Sequence, residues 1–185
     1  MKNKFKIIKN FLTEEERNLL TGYCELKHRY NFDTFDPTNK NMDTKFYADY
    51  AMESLMVTKL KKMEEITGLK LLPTYAFWRM YTYKSDLHKH KDRPSCEYSV
   101  TVCIASSGEK WPIYADGVEV NLEPGDGLVY KGCDVLHWRE EFEGDFQAQV
   151  FLHYVNKNGK NAEWFRDKRP YWIVTGKLIH LRVLN

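Results

Sequence analysis

The chain has 185 residues, a formal net charge of +2 and a hydrophobic share of 43%, which fits one compact domain and excludes general disorder. A protein that neutralises many phosphates would carry a larger or more clustered excess of basic residues, so nucleic acid is not an expected partner. Aromatic residues make up 15% of the chain. That share favours half-buried strands and a lined cavity.

The cysteines and the N-terminus bear on the cellular setting. The four cysteines are far apart and form no CxxC pair, which argues against a disulfide scaffold and a thiolate zinc site. No stretch approaches the roughly 20 apolar residues that span a bilayer. The basic N-terminus is followed by no apolar signal region. We therefore expect a cytoplasmic, intracellular protein with no membrane association.

The N-terminal part predicts a strand followed by a capped helix. Residues 6–12 are apolar enough for a short strand. Thr13 and Glu16 have the spacing of a capping box, in which each side chain accepts a hydrogen bond from the backbone of the other residue. A helix is therefore predicted to begin directly after Thr13.

A long polar loop and a second helix are predicted next. Residues 31–47 are rich in Asn, Asp, Thr and Pro, and a loop of this length is a candidate lid or substrate loop. Residues 49–67 carry an apolar stripe at helical spacing, and Gly68 suits the position just after a helix end.

The rest of the chain predicts short strands at regular spacing. They cover residues 75–83, 97–105, 111–114, 118–122, 128–130 and 146–155. Helices followed by many strands predict an α+β, mainly β fold, a jelly-roll or barrel with N-terminal supporting helices. We expect one domain over 1–185, with its core at about 70–156 and a C-terminal extension at 157–185 that packs back on the body and ends in a strand at 177–184.

A metal site is the strongest chemical signal. His90 and Asp92 are two residues apart, so on an extended segment both side chains point to the same side. His137, at the edge of a later strand, is the candidate third ligand. Two imidazoles and one carboxylate with open positions are typical of non-haem Fe(II) oxygenases. His88 is the rival first ligand, although its spacing from Asp92 fits an extended segment less well.

Other interpretations of these histidines stay open. A histidine in a lysine-rich loop is commonly just solvated, and a purely structural jelly-roll would leave the His90 and Asp92 pair incidental. His153 shares a strand face with Gln147, Gln149 and Phe151, which makes it a candidate cavity residue.

Several motifs together resemble a known family. They are residues 11–16 (FLTEEE), Arg79-Met80-Tyr81, residues 87–93 (LHKHKDR), Pro124-Gly125-Asp126, His137 and Gly144. Over about residues 5–156 the chain resembles the 2-oxoglutarate and Fe(II)-dependent oxygenases of the prolyl 4-hydroxylase-like group. The resemblance implies a double-stranded β-helix core, with iron held by His90, Asp92 and His137. It also implies 2-oxoglutarate and O₂ as co-substrates, with ascorbate as a supporting reductant.

The sequence departs from this family at the co-substrate anchor. In the family, a cation nine or ten positions beyond the second metal histidine binds the distal carboxylate of 2-oxoglutarate. Here those positions hold Phe146 and Gln147, and an amide carries no charge to compensate a buried carboxylate. The candidate anchor must therefore come from elsewhere.

Three basic residues are candidates for this anchor. Arg139 is two residues beyond His137, so strand alternation puts both on the same side, about 6–7 Å apart. We favour Arg139, assisted by the phenol of Tyr81, over Arg79 and Lys131. Pairing of Arg139 with a surface acid such as Glu140 or Glu141 is the competing interpretation.

The predicted function is hydroxylation of a substrate C–H bond, with a peptidyl residue such as proline as substrate and a peptide or protein as partner. Tyr83 and Trp138 are candidate substrate contacts. A cupin-like metal-binding module without turnover is one alternative, and an oxygenase acting on a nucleobase or small molecule is another. The basic runs at 59–62 and 166–169 are interrupted by apolar or acidic residues, which disfavours nucleic acid. The sequence does not predict the oligomeric state.

Overall fold

A computed structural model of the chain describes residues 3–32 and 43–170. Its elements in chain order are β1 (Phe5–Ile8), α1 (Glu14–Phe32), β2 (Thr44–Tyr47), α2 (Tyr50–Thr58), α3 (Leu60–Thr67), β3 (Leu71–Thr82), β4 (Leu87–His90), β5 (Tyr98–Ser106), β6 (Ile113–Ala115), β7 (Val118–Val120), β8 (Gly127–Tyr130), β9 (His137–Arg139) and β10 (Phe146–Asn156). Short 3₁₀ turns occur at Pro94–Cys96 and Ala162–Lys168.

The predicted capping box is present at the start of α1. The Thr13 backbone N–H donates to Glu16 Oε2 at 2.8 Å, and the Glu16 N–H donates to Thr13 Oγ1 at 3.2 Å. The preceding strand ends at Ile8 rather than at residue 12, because Asn10 takes a φ of 50° and turns the chain.

The predicted helix at 49–67 is two helices, so the single-helix prediction was wrong. The backbone leaves helical geometry at Lys59, where ψ is −2°, and the Lys59 ammonium reaches Glu16 of α1 at 2.5 Å. Asp49 caps α2 by accepting from the backbone N–H groups of Ala51 and Met52. Gly68 ends α3 with a φ of 75°, as its position predicted.

The predicted loop at 31–47 contains a strand. Residues Thr44–Tyr47 form β2, which pairs antiparallel with β3, so the loop prediction was wrong there. β2 was not predicted because a four-residue edge strand with two polar residues has no clear alternation. Residues 33–42, where most of the predicted lid falls, lie outside the described residues, as does the predicted strand at 177–184.

Two antiparallel sheets form the body of the protein. One has the strand order β1-β8-β5-β10-β3-β2, and the other has the order β4-β9-β6-β7. From β3 to β10 the chain alternates between them, with only β6 and β7 consecutive in one sheet. This connectivity is that of a jelly-roll, and the α+β, mainly β prediction is confirmed.

Alternation along the strands gives the larger sheet two different faces. The face that packs against the helices is apolar and includes Trp78, Met80, Val100, Val102, Val150 and Leu152. The opposite face looks toward the smaller sheet and carries Tyr81, Ser99, Thr101, Gln147, Gln149, Phe151 and His153. Polar side chains therefore concentrate between the sheets, where the candidate site lies.

The segment after β10 packs on the body close to the predicted metal ligands. Arg93 donates to both carboxylate oxygens of Asp167, at 2.9 and 2.7 Å, and Arg169 donates to the carbonyl oxygen of Thr74 at 3.1 Å.

The four cysteines all fall in the described part of the chain, and all are free thiols. Among the described residues there is no helix of sufficient length and apolarity to cross a membrane.

Candidate metal centre and adjoining cavity

The structure brings His90, Asp92 and His137 together. His90 ends β4 and is the cross-strand partner of His137, the first residue of β9. Asp92 Oδ1 lies 3.6 Å from Nε2 of His90 and 3.6 Å from Nε2 of His137. The three ligand atoms are thus within 4.8 Å of one another, close enough to hold one metal ion. The side chains of His90 and Asp92 thus lie close together, as their two-residue spacing predicts.

Hydrogen bonds prepare both imidazoles as ligands. His90 Nδ1 lies 2.6 Å from the carbonyl oxygen of His88, and His137 Nδ1 lies 3.0 Å from that of Val135. A carbonyl oxygen only accepts, so each Nδ1 carries the proton and donates it. Each Nε2 is then left with a free lone pair facing Asp92, which is the state that binds a metal.

Asp92 is held by a close approach of the backbone. Its N–H donates to the carbonyl oxygen of Gly132 at 2.9 Å. A Cβ on Gly132 would lie 2.1 Å from the carbonyl oxygen of Cys96 and 2.4 Å from Asp92 Oδ2. Only glycine fits at this position without displacing the candidate ligand.

The electrostatics favour the ligand forms of two of these three side chains. Burial acts to raise the pKa of Asp92, but the nearby histidines, His90 first among them, outweigh it and hold the pKa below its usual value. Burial lowers the pKa of His137, while the nearby carboxylate of Asp92 raises that of His90. Asp92 is therefore ionised and His137 neutral near pH 7.

A cavity of about 190 Å³ opens beside the metal-ligand cluster. Its lining comprises Lys45, Tyr75, Phe77, Arg79, Tyr81, Leu87, His90, Asp92, Tyr130, His137, Phe151 and His153. The odd-numbered face of β3 contributes four of these residues, in agreement with the predicted alternation. His153 also lines the cavity, and burial lowers its pKa to about 4.

Arg139 is a buried cation without an acidic partner among the described residues. It is 2% exposed, and its Nη1 donates to the carbonyl oxygen of Trp111. Its Nε and Nη2 have no hydrogen-bond partner. Burial accordingly lowers the pKa of the guanidinium. The competing interpretation, in which Arg139 pairs with a surface acid such as Glu140 or Glu141, is therefore not seen. An unpaired buried charge of this kind calls for an anionic ligand.

Two amides on β10 carry further unpaired donors. The Nε2 atoms of Gln147 and Gln149 are buried without a hydrogen-bond partner. Gln147 is the cross-strand partner of Tyr81, whose phenol is also buried on the inner face. Gln149 Oε1 accepts from Thr101 Oγ1 at 3.1 Å, which turns its amide nitrogen away from Thr101. The space between the sheets thus contains several hydrogen-bond donors that lack acceptors.

The other candidate anchors have different surroundings. Arg79 lines the cavity, but its Nε donates to Asp43 at 2.6 Å, its Nη2 donates to the same carboxylate, and its Nη1 donates to the carbonyl oxygen of Asp86 at 3.0 Å. Its charge is therefore already compensated. Neither Lys131 nor Arg139 lines this cavity, so what distinguishes Arg139 is its burial with unpaired donors. Lys131 is only partly buried, and its backbone N–H donates to the carbonyl oxygen of Lys4.

The two candidate substrate contacts lie outside the cavity. Tyr83 follows the last residue of β3 and is 60% exposed. Trp138 lies between His137 and Arg139 on β9, so its ring points to the opposite face, where it stacks on Tyr114 with a centroid distance of 5.1 Å. The rival ligand His88 has a side chain that is 92% exposed.

Sequence reasoning missed several residues that shape the site. Gly132, Tyr130, Asp43 and Ser99 were not singled out, although they contact Asp92, His137, Arg79 and His153 respectively. Ser99 was open to prediction, since it alternates with the apolar residues of the strand predicted at 97–105. Gly132 and Asp43 gave no such signal, because their contacts come from distant parts of the chain.

Comparison with known proteins shows the fold. No family model matches the sequence, and no curated protein matches it. A viral collagen prolyl hydroxylase from Paramecium bursaria Chlorella virus-1, in its 2-oxoglutarate complex, is 8% identical, with a TM-score of 0.61 over 83% of this chain and 96% of that chain. HygX from Streptomyces hygroscopicus, with nickel and 2-oxoglutarate bound, is 11% identical, with a TM-score of 0.62 over 84% of this chain and 83% of that chain.

A third similar structure has a different named activity. SnoK, a non-haem α-ketoglutarate-dependent carbocyclase from nogalamycin biosynthesis, is 12% identical, with a TM-score of 0.67 over 83% of this chain and 79% of that chain. Two of these three structures contain 2-oxoglutarate and the third is named for its dependence on it, whereas their named activities differ. The predicted jelly-roll core is confirmed by this likeness of fold.

Proposed function

We propose that the protein is an Fe(II)- and 2-oxoglutarate-dependent dioxygenase that hydroxylates a substrate C–H bond. The observation that carries this proposal is the pairing of a convergent two-histidine, one-carboxylate cluster with a buried, acid-free arginine between the same two sheets. The first is the donor set that suits non-haem Fe(II), and the second suits the distal carboxylate of the co-substrate.

The residues present fit a metal of this kind. His90 and His137 offer Nε2 lone pairs because their Nδ1 protons are committed to backbone carbonyls. Asp92 offers Oδ1, equidistant from both imidazoles, so the three donor atoms converge and would hold the ion together. When bound, Fe(II) and 2-oxoglutarate together supply O₂ activation, with succinate and CO₂ as co-products. The protein orients the ligands and excludes water around them.

Arg139 is the residue that we assign to the distal carboxylate. Its Nε and Nη2 are adjacent donors on one edge of the guanidinium, which matches the two oxygens of a carboxylate. Tyr81 and the amides of Gln147 and Gln149 lie on the facing sheet and would add neutral donors. Arg139 on β9 would thus take the place of the cation that the family carries at the position of Gln147 on β10.

For the primary substrate we propose a peptidyl residue such as proline. The cavity of about 190 Å³ lies below the roughly 300–1,000 Å³ of typical ligand pockets, so it suits a small co-substrate with one protruding group. A side chain on an extended peptide enters in this way while the rest of the peptide stays outside. The names of the viral and Pseudomonas putida prolyl hydroxylases support this class, whereas the carbocyclase favours a small molecule.

The test is release of succinate from 2-oxoglutarate by protein loaded anaerobically with Fe(II), with ascorbate present. Proline-containing peptides should accelerate succinate release and gain 16 mass units, whereas the Asp92→Ala variant should release none. Acceleration by small molecules but not by peptides would reassign the substrate. Bound iron without any succinate release, with or without candidate substrates, would indicate the metal-binding module instead.

A further inference from the structure

The inner face of the larger sheet places a histidine and a serine directly behind the candidate carboxylate ligand. His153 of β10 and Ser99 of β5 are cross-strand partners, and His153 Nδ1 lies 2.8 Å from Ser99 Oγ. Both side chains are buried, and the imidazole also packs on the ring of Tyr75, with a centroid distance of 4.5 Å. The position of His153 is therefore fixed on two sides.

The direction of the hydrogen bonds follows from the other neighbours of Ser99. Its Oγ lies 3.1 Å from the carbonyl oxygen of Cys96 and 3.4 Å from Asp92 Oδ2. A carbonyl and an ionised carboxylate only accept, so the single hydroxyl proton of Ser99 is shared between them, with the Cys96 oxygen as the nearer acceptor. His153 Nδ1 must then be the donor to Ser99 Oγ. The chain of donors therefore runs from His153 to Ser99, and from Ser99 to both Cys96 and Asp92.

This chain acts on the oxygen of Asp92 that does not face the histidines. Oδ1 lies 3.6 Å from the Nε2 atoms of both His90 and His137, whereas Oδ2 is the oxygen within reach of Ser99. A hydroxyl that donates to Oδ2 stabilises that oxygen away from the histidines and so favours Oδ1 as the oxygen that faces a metal. One more coordination position is then left open than with two-oxygen coordination.

We propose that His153 is a positioning residue that, through Ser99, holds Asp92 as a one-oxygen metal ligand. This rests on the proposed function, because it takes the His90, Asp92 and His137 cluster to be the metal centre. His153 itself contacts no metal in this arrangement. Its role is to supply the proton that keeps the Ser99 hydroxyl turned toward Asp92.

Three variants separate this role from simple packing. His153→Phe keeps an aromatic ring but removes the donor. His153→Asn restores one, since the amide nitrogen of Asn is as many bonds from Cα as Nδ1 is. Ser99→Ala removes the middle of the chain. Mn(II) affinity is measured by calorimetry on each purified full-length variant, and thermal unfolding without metal shows whether the variant is folded.

We expect His153→Phe and Ser99→Ala each to weaken Mn(II) binding by about 10-fold or more, the range seen when the hydrogen-bond partners of metal ligands are lost. The double variant should be no weaker than either single one, because both act through one chain of hydrogen bonds. His153→Asn should recover most of the affinity. With Co(II), the visible ligand-field bands of Ser99→Ala should shift as Asp92 Oδ2 becomes free to coordinate.

The proposal is overturned if folded Ser99→Ala or His153→Phe binds Mn(II) as the wild type does, or if His153→Asn is as weak as His153→Phe. Additive losses in the double variant would also contradict it. Wild-type protein that binds no Mn(II) would instead overturn the metal centre itself, which distinguishes the two failures.

Discussion

His88 and His90 are two residues apart in β4, yet they have different surroundings. The His88 side chain is 92% exposed and contacts Asp86, while His90 faces Asp92. We expect His90→Ala to weaken Mn(II) binding by more than about 100-fold, since it removes a ligand rather than a supporting contact. His88→Ala is the matched control and should bind as the wild type does, because only its backbone carbonyl contacts His90. Equal losses in both variants would contradict the assignment.

Arg139 leads to a second prediction at the same scale. Arg139→Met should weaken 2-oxoglutarate binding to the Mn(II)-loaded protein by at least about 30-fold, or about 2 kcal/mol, because charge-assisted hydrogen bonds are lost. Arg139→Lys keeps the charge but not the two adjacent donors, so its affinity for 2-oxoglutarate should lie between those of the wild type and Arg139→Met. Lys131→Met changes a cation that is only partly buried, and it should match the wild type in the same fluorescence or calorimetric titration. A wild-type affinity in Arg139→Met would exclude this anchor.

The candidate site was predictable where local periodicity carries the information. Side chains two residues apart in an extended chain lie on the same side. This period predicts that His90 and Asp92 face the same way, and likewise His137 and Arg139. The partner of Arg79 did not follow, because Asp43 is 36 residues away in sequence and reaches it only through the pairing of β2 with β3. Contacts of that kind depend on the whole topology rather than on any segment.

The elements show the same division between local and distant information. The capping box of α1 and the left-handed end of α3 at Gly68 are set by residues within one turn, and both were predicted correctly. The break between α2 and α3 at Lys59 was not predicted, since the Lys59 ammonium contacts Glu16 on another helix. The alternation of side chains along β3 and β10 was predicted because each face has a distinct composition. One face packs against the helices, and the other lines the cavity.

The turn between β8 and β9 gives a prediction at the scale of elements. Gly132→Ala should lower the free energy of unfolding by more than about 1 kcal/mol and weaken Mn(II) binding, because the new Cβ would overlap Cys96 and displace Asp92. Gly22→Ala is the matched control. Gly22 lies inside α1 with open space at its Cβ, so alanine there should stabilise the protein by about 0.5–1 kcal/mol. Urea unfolding measures both changes, and a stabilising Gly132→Ala would contradict the packing argument.

At the scale of the whole molecule, ligands should raise thermal stability. The Nε and Nη2 atoms of Arg139 and the Nε2 atoms of Gln147 and Gln149 are buried without hydrogen-bond partners. An anion bound to them would remove the free-energy cost of burying these donors unpaired. With Mn(II) and 2-oxoglutarate each at about 100 times its dissociation constant, each binding step should add about 2.7 kcal/mol. For this chain length, each step should therefore raise Tm by roughly 5–10 °C. Calorimetry with succinamide, which lacks both carboxylates, is the control, and an equal rise there would contradict the assignment.

The position of β10 within the larger sheet has a consequence for how the chain acquires its structure. β10 is an inner strand, paired with β3 on one side and β5 on the other, and its partners lie about 40–85 residues earlier in the sequence. Until residue 156 has left the ribosome, β3 and β5 each expose an unpaired edge, and the ligand histidines have no sheet behind them. The larger sheet is therefore expected to form only after β10 has been synthesised, and to fold slowly for its size. Until then, the edges of β3 and β5 that β10 will cover are open to pairing with other chains.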